Sequence, residues 1–158
     1  MRVLAFDPGY ERLGAAIVER LGAQEVLLHS ECVCTSAVHE FSERLRQLGD
    51  AVEALIARFE PEALALEKIY FEKNAKTAMQ IAEVRGMLTH IAAARGLKLF
   101  EYTPSQIKIA VTGYGKSDKA AVGAMISRLV SLPPKKRLDD ELDAIAVGLT
   151  CLASLPRV

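Results

Sequence analysis

The chain has 158 residues, of which 51% are hydrophobic and 25% charged, and this balance predicts one globular domain over residues 1–158. Basic and acidic residues number 20 each, so a nucleic-acid partner would have to bind a local basic surface and not a uniformly positive protein. No apolar run reaches the roughly 18 residues of a membrane span and no leader segment is recognisable, so we expect a cytoplasmic protein without membrane contact.

Three short strands open the chain, and two further strands then alternate with helices. Apolar patterns predict strands over residues 2–7, 13–20, 25–34, 62–67 and 98–102. They predict helices over residues 40–59, 75–95, 104–112, 118–130 and 139–153. Short links favour antiparallel pairing of the first three strands, and the later alternation predicts an α/β protein with a mixed sheet covered by helices.

The helix over 75–95 carries apolar residues on more than one side. One sheet cannot cover all of this surface, so we expect the helix to pack also against a second copy of the chain. Gly86 lies within it and costs roughly 1 kcal/mol relative to alanine, which indicates close approach of another backbone. The sequence therefore predicts a homodimer.

Cysteine and histidine give no metal-ligand pattern. Cys32 and Cys34 lie two apart on a predicted strand and face the same side. Without a second pair or a histidine at ligand spacing, we interpret them as small buried side chains and not as a zinc or disulfide site. The histidines His29, His39 and His90 are scattered along the chain.

Four acids lie where apolar segments end. Asp7 and Glu67 end two predicted strands, and Asp140 and Asp143 are three apart on the last helix, so both can project from one face. Asp139 is expected to cap that helix. Oxygen ligands without histidine or cysteine favour Mg²⁺ or Mn²⁺. Two such cations about 4 Å apart would support hydrolysis of a phosphodiester.

Each of these acids taken alone could equally be a helix cap or a solvated surface residue. Two strand-end acids together with an i, i+3 pair are difficult to explain in that way. A glycosidase-like pair of carboxylates is a weaker alternative, because the chain has no tryptophan to line a sugar cleft.

Several motifs together resemble the RuvC family of bacterial Holliday junction resolvases. They are Phe6-Asp7-Pro8-Gly9, Leu66-Glu67-Lys68-Ile69-Tyr70, Lys73-Asn74, Arg85-Gly86, residues 102–119 and Asp140-Glu141-Leu142-Asp143-Ala144-Ile145-Ala146. The resemblance spans nearly the whole chain and agrees in order, spacing and length.

The resemblance implies an RNase H-like, three-layer fold: a mixed five-stranded sheet with helices on both faces. It implies that Asp7, Glu67, Asp140 and Asp143 are catalytic and ligate two Mg²⁺ ions per subunit, or Mn²⁺, with Asp7 bridging. A homodimer would nick two opposing strands of a four-way junction symmetrically, leaving 5′-phosphate and 3′-hydroxyl ends. The resemblance also implies preference for a short thymine-containing sequence, cooperation with the RuvA–RuvB branch-migration complex, and a role in homologous recombination and DNA repair.

Several residues near these acids are candidates for binding DNA. Tyr70 matches an aromatic position of the family and would stack on an unpaired base, whereas the role of Phe71 stays open. The candidate phosphate-binding residues are Lys73, Lys108, Lys116 and Lys119, of which Lys108 and Lys119 match family lysines. We interpret Lys135-Lys136-Arg137 as a solvated loop, and Gly113-Tyr114-Gly115-Lys116 as a flexible turn that touches the DNA backbone.

Two other classes of function stay open from the residues. The strand-Asp-x-Gly start also resembles the first phosphate loop of the actin and hexokinase superfamily, which suggests an ATP-hydrolysing or sugar-kinase-like protein. No second phosphate loop is visible, however. The other alternative is a non-catalytic module that binds junction DNA. Within the same fold, a general endonuclease or a ribonuclease acting on RNA–DNA hybrids also stays open.

Overall fold

The computed structural model describes residues 1–68 and 75–156. The strands are Arg2–Asp7 (β1), Arg12–Leu21 (β2), Gln24–Cys34 (β3), Ala63–Glu67 (β4) and Lys98–Tyr102 (β5). The helices are Phe41–Phe59 (α1), Ala75–Ala94 (α2), Pro104–Thr112 (α3), Lys119–Leu129 (α4) and Asp139–Ser154 (α5). Within the described ranges, no helix is long and apolar enough to cross a bilayer.

The five strands form one mixed sheet in the order β3-β2-β1-β4-β5. The first three pair antiparallel, while β1 pairs parallel with β4, and β4 with β5. The carboxyl ends of β1 and β4 therefore meet at one edge of the sheet, where Phe6 lies opposite Leu66 in the register. The predicted α/β class, the mixed sheet and all ten predicted elements are confirmed.

Helices cover both faces of the sheet. Because side chains alternate along a strand, Val3 and Ala5 of β1 pack against α3, α4 and α5, whereas Leu4 and Phe6 pack against α1 and α2. All four of these β1 side chains are fully buried. The chain thus has a core on each side of the sheet.

The helix α5 lies directly on the central strands. A Cβ atom at Gly148 would be 2.7 Å from Cγ2 of Val18 and 3.2 Å from Cβ of Ala5, so glycine permits this close approach. The run from Ala144 to Leu152 is buried throughout. The position of α5 is therefore fixed by packing along most of its length.

Two predictions of local structure are wrong. Leu138, and not Asp139, occupies the N-cap of α5, and no side chain caps that end. Asp139 is the first helical residue, where its negative charge still interacts favourably with the helix dipole. Cys32 is only half-buried and Cys34 is exposed, because both lie near the end of the edge strand β3, whereas Cys151 in α5 is buried.

Candidate active site

A glycine on β2 brings Asp7 and the start of α5 together. Gly14 is the cross-strand partner of Asp7 at the end of β1. A Cβ atom at Gly14 would lie 1.9 Å from the backbone oxygen of Asp140 and 3.2 Å from its Cβ. Only a residue without a side chain allows this approach, which places the first turn of α5 over the end of β1.

The other two acids line one pocket. Glu67 at the end of β4 and Asp143 on α5 face a cavity of about 150 Å³ whose wall also contains Lys108 and Lys119. Nζ of Lys119 lies 3.1 Å from Oδ2 of Asp143. Arg85 on α2 donates a hydrogen bond to the backbone oxygen of Glu67, which holds the end of β4.

The other three acids all lie within electrostatic range of Asp7. Burial, followed by the negative charges of Asp143, Glu67 and Asp140 in that order, raises the pKa of Asp7 to about 7. Burial and the charge of Asp143 also raise the pKa of Glu67. The hydrogen bond to Asp143 raises the pKa of Lys119.

Asp140 is only partly neutralised by its surroundings. Nε of Arg12 on β2 lies 3.3 Å from Oδ2 of Asp140, but this buried oxygen accepts no hydrogen bond within the described part of the chain. A buried carboxylate oxygen without a partner is costly, because it has lost its hydration. Sequence reasoning missed Arg12, since one arginine at a strand start gives no distinguishing signal.

The donor set fits a hard divalent cation. All four side chains offer carboxylate oxygens, and the unsatisfied Oδ2 of Asp140 together with the raised pKa of Asp7 indicates excess negative charge. As placed, no three histidine, cysteine, aspartate or glutamate side chains in residues 1–68 and 75–156 are grouped closely enough to ligate one ion. Binding would therefore require rotation of these side chains.

Comparison with known proteins identifies the family. The family model described as "Crossover junction endodeoxyribonuclease RuvC" matches residues 3–151. The chain belongs to the RuvC family. RuvC of Frankia casuarinae is 42% identical over 150 residues, which cover 94% of this chain and 87% of the relative. RuvC of Ruminiclostridium cellulolyticum is 38% identical over 149 residues, which cover 94% of this chain and 90% of the relative.

Solved structures agree with this assignment. Thermus thermophilus RuvC in complex with a Holliday junction substrate matches with a TM-score of 0.89 at 32% identity, covering 95% of this chain and 92% of that chain. The predicted RNase H-like fold and the predicted activity of a crossover junction endodeoxyribonuclease that resolves Holliday junctions are thus confirmed. The RuvC family consists of metal-dependent nucleases. The nucleotide-hydrolysing and non-catalytic alternatives are set aside.

Beside the four candidate acids lies a buried ionic cluster that sequence reasoning missed. Glu141, only 4% exposed, accepts a hydrogen bond from the Ser30 hydroxyl at 2.6 Å. Nζ of Lys135 lies 2.6 Å from Oε1 of Glu141, and Nε of Arg137 lies 3.4 Å from it. Lys135 also donates to the backbone oxygen of Ser30 at 2.6 Å.

This cluster corrects the prediction of a solvated loop for Lys135-Lys136-Arg137. Two of the three cations pair with a buried carboxylate, and only Lys136 is free of these contacts within the described residues. The i, i+4 spacing from Arg137 to Glu141 is a signal that could have identified the ion pair. The cluster fixes the first turn of α5 to β3, and this turn carries Asp140.

The turn after Asp7 is also held from outside the site. The backbone oxygen of Tyr10 accepts a hydrogen bond from the Thr35 hydroxyl at 2.6 Å, and the buried Arg44 lies 5.0 Å over the Tyr10 ring. Nε of Arg44 donates to the Thr35 hydroxyl at 2.9 Å. These contacts fix the path of the chain directly after β1.

The predicted DNA-binding residues are described only in part. Tyr70, Phe71 and Lys73 lie outside the described residues. Lys108 and Lys119 line the acid pocket, and Lys116 is exposed on the turn between α3 and α4.

The turn that carries Lys116 is fixed by hydrogen bonds. The Thr112 hydroxyl donates to the backbone oxygen of Lys108 at 2.8 Å, accepts a hydrogen bond from the backbone N–H of Tyr114 at 3.2 Å and lies 2.6 Å from the Ser117 hydroxyl. These contacts argue against the predicted flexibility of residues 113–116, while contact of the turn with DNA stays a prediction.

Proposed function

We propose that Asp7, Glu67, Asp140 and Asp143 bind two divalent cations, Mg²⁺ or Mn²⁺, with Asp7 shared between them. The observation that supports this most strongly is the raised pKa of Asp7, because its causes include the charges of all three other acids. All three acids are therefore within electrostatic range of the Asp7 carboxyl group. Oδ2 of Asp140 accepts no hydrogen bond within the described residues although Arg12 lies 3.3 Å away, so this oxygen retains the capacity to ligate a cation.

The bound cations would supply the positive charge that stabilises the attacking and leaving oxygens of an in-line phosphoryl displacement. The chain's own basic residues prepare this site. Nζ of Lys119 lies 3.1 Å from Oδ2 of Asp143, and its charge offsets a part of the rise in the pKa of Asp7 and Glu67. Arg12 lies 3.3 Å from Oδ2 of Asp140 and offsets part of its negative charge until a cation binds. Products with 5′-phosphate and 3′-hydroxyl ends are expected.

The junction would bind across the acid pocket. Lys108 and Lys119 lie in the pocket wall, where phosphates would be held close to the acids, and Lys116 lies on the neighbouring turn. Tyr70 and Lys73 complete the proposed DNA contacts on the basis of the family motif. That T. thermophilus RuvC forms a complex with a Holliday junction substrate supports binding of such a junction here.

Two nicks placed symmetrically require two active sites, so we infer a homodimer. Met79 on α2 is 65% exposed, and no heavy atom of the described residues lies within 4 Å of a Cβ built at Gly86. Both residues thus leave room for a second copy on this helix. Sedimentation should show dimers at micromolar concentration, and a monomer alone would contradict this inference. Cooperation with RuvA–RuvB is proposed from family membership.

The decisive experiment compares a synthetic four-way junction with a linear duplex of the same sequence. The reaction is run with Mg²⁺, Mn²⁺, Ca²⁺ or a chelator. We expect paired nicks in the junction with Mg²⁺ or Mn²⁺, and no product with the chelator. Asp7→Asn and Glu67→Gln should bind the junction but cut at least about 10³-fold more slowly, equivalent to roughly 4 kcal/mol. Normal cleavage by these variants would show that the site is misassigned.

A further inference from the structure

Two thiols form a pair on the edge strand beside the active site. The Sγ atoms of Cys32 and Cys34 lie 3.9 Å apart, and Sγ of Cys34 also lies 3.8 Å from the backbone oxygen of Cys32. Cys34 is exposed and Cys32 is half-buried, so the pair can be reached from solvent.

The sheet register places this pair next to Asp140. Cys34 lies opposite Arg12, whose guanidinium contacts Asp140, and Cys32 lies opposite Gly14, on which the Asp140 backbone rests. Directly opposed residues of a sheet are only about 4.5–5.5 Å apart at Cα. Oδ2 of Asp140 is buried and lacks a hydrogen-bond partner in the described part of the chain. The thiol pair and the carboxylate of Asp140, which is paired with Arg12, thus share one small region, and Asp140 would have to rotate away from Arg12 to join the thiols at one ion.

The separation of the thiols suits a shared metal ion. Two metal–sulfur bonds of about 2.3 Å at a tetrahedral angle place the sulfurs about 3.8 Å apart. The observed 3.9 Å requires almost no rearrangement. Sulfur ligands select thiophilic cations over Mg²⁺.

A disulfide fits this pair less well. It would require the sulfurs to approach to about 2.05 Å. Residues two apart on a strand are also separated by about 6.6–6.8 Å at Cα, which is the upper end of the range seen in disulfides. Burial and the neighbouring Cys34 raise the pKa of Cys32 to about 12, so its thiol is protonated in the free protein; this opposes oxidation, and a metal ion must displace the same proton in order to bind.

We propose that Cys32 and Cys34 bind a thiophilic divalent cation of the zinc and cadmium class, and that the ion recruits Asp140 as a further ligand and so slows cleavage. On binding, each thiol releases its proton to solvent and two metal–sulfur bonds form. The pair therefore gains no net charge, and the effect on cleavage comes from the loss of Asp140 to the second site. This last step rests on the proposed role of Asp140 in catalysis.

The first test follows binding without DNA. Cd²⁺ is titrated into the full-length protein while thiolate-to-metal charge-transfer absorption is recorded. We expect one equivalent to bind to the wild type and to Cys151→Ser, which removes only the buried cysteine. The Cys32→Ser/Cys34→Ser variant should lose the signal, and Asp140→Asn should bind about tenfold more weakly. A signal that survives the double substitution, or equal affinity in Asp140→Asn, would overturn the proposal.

The second test measures junction cleavage at saturating Mg²⁺ with increasing Cd²⁺. Inhibition at one equivalent of Cd²⁺ should occur in the wild type and in Cys151→Ser, and should disappear in the double variant. Inhibition that is the same in all three proteins would place Cd²⁺ at the carboxylates and overturn the proposal, as would its absence from all three. If the wild type cleaves no junction, the proposed function fails, whereas the absorption titration still decides whether the thiol site exists.

Discussion

Gly14 and Asp140 are in van der Waals contact through their backbones, although 126 positions separate them in the sequence, from 14 to 140. Gly14 is at the same time the strand partner of Asp7. This single contact therefore brings together an acid from the first strand and an acid from the last helix.

Substitution of Gly14 should damage the site more than the fold. In Gly14→Ala the new methyl group would lie 1.9 Å from the Asp140 oxygen, so the first turn of α5 must shift. We expect cleavage to fall about 10²-fold, because misplacement of a reacting group by about 1 Å has that effect. The loss of stability should be about 1–3 kcal/mol. Cleavage and urea unfolding of the same preparation would check both; unchanged cleavage would refute the role of the contact.

The stability of the metal-free protein should depend on pH in an unusual direction. The pKa of Asp7 is about 7 in the folded protein, against an ordinary value of 3.8 for aspartate. Between these two pH values the folded protein therefore holds a proton that the unfolded chain has lost. Stability therefore decreases as pH rises from about 4 to about 7, whereas a carboxylate with a lowered pKa gives the opposite trend. Each unit of difference corresponds to about 1.4 kcal/mol.

Chemical unfolding of wild type and Asp7→Asn in the presence of a chelator measures this effect. As pH rises through that window, the free energy of unfolding of the wild type should fall relative to that of Asp7→Asn. Mg²⁺ should reduce the shift, because it binds the ionised form. A difference independent of pH would mean that Asp7 is ionised throughout, and that the acids are farther apart than the structure indicates.

The ionic cluster at Glu141 should matter for stability. Replacement by alanine removes the hydrogen-bond partner of Ser30 and the counter-charge of Arg137, which is itself 8% exposed. Loss of one partner of a buried ion pair costs about 3–5 kcal/mol. Glu43→Ala is the matched control, because Glu43 pairs with the largely exposed Arg46 on α1 and should cost at most about 1 kcal/mol. Equal urea concentrations at the midpoint of unfolding for the two variants would contradict the structural role of the cluster.

Much of the fold follows from local patterns in the sequence, but contacts between distant residues, such as those in the cluster at Glu141, cannot be predicted from them. Apolar runs bounded by turn residues located the strands, and the strand ends predicted that Asp7 and Glu67 would lie at one edge of the sheet. The lysine-rich run from Lys135 has the composition of a solvated loop, and only the fold shows that Ser30 and Glu141 lie beneath it. Gly14 carried a usable signal, since glycine within a strand often marks a close backbone approach.

For Cys32 and Cys34 the error was the opposite one, because burial was predicted and partial or full exposure was found. Their size and apolarity suggested burial, but β3 is an edge strand, and strand order cannot be obtained from the pattern of one strand alone. The contact between Arg12 and Asp140 joins the ends of the chain and likewise has no local signature.

Lys119 should contribute to junction binding through its charge. Lys119→Ala should weaken binding and reduce the slope of log K against log salt by about one unit, as expected for one lost phosphate contact. Lys98→Ala is the control, because Lys98 is exposed at the start of β5, at the opposite end of the sheet from the acids. Binding is measured by fluorescence anisotropy in Ca²⁺ at several salt concentrations. Equal slopes for both variants would remove Lys119 from the DNA contacts.

The central claim is that Asp7, Glu67, Asp140 and Asp143 together bind divalent cations, and anomalous diffraction from crystals soaked in Mn²⁺ tests it most directly. The account predicts two peaks between these four side chains, with carboxylate oxygens about 2.0–2.2 Å away, and loss of at least one peak in Asp7→Asn. Peaks that contact only one of the four acids, or Mn²⁺ bound elsewhere on the chain while this edge of the sheet stays free, would contradict it.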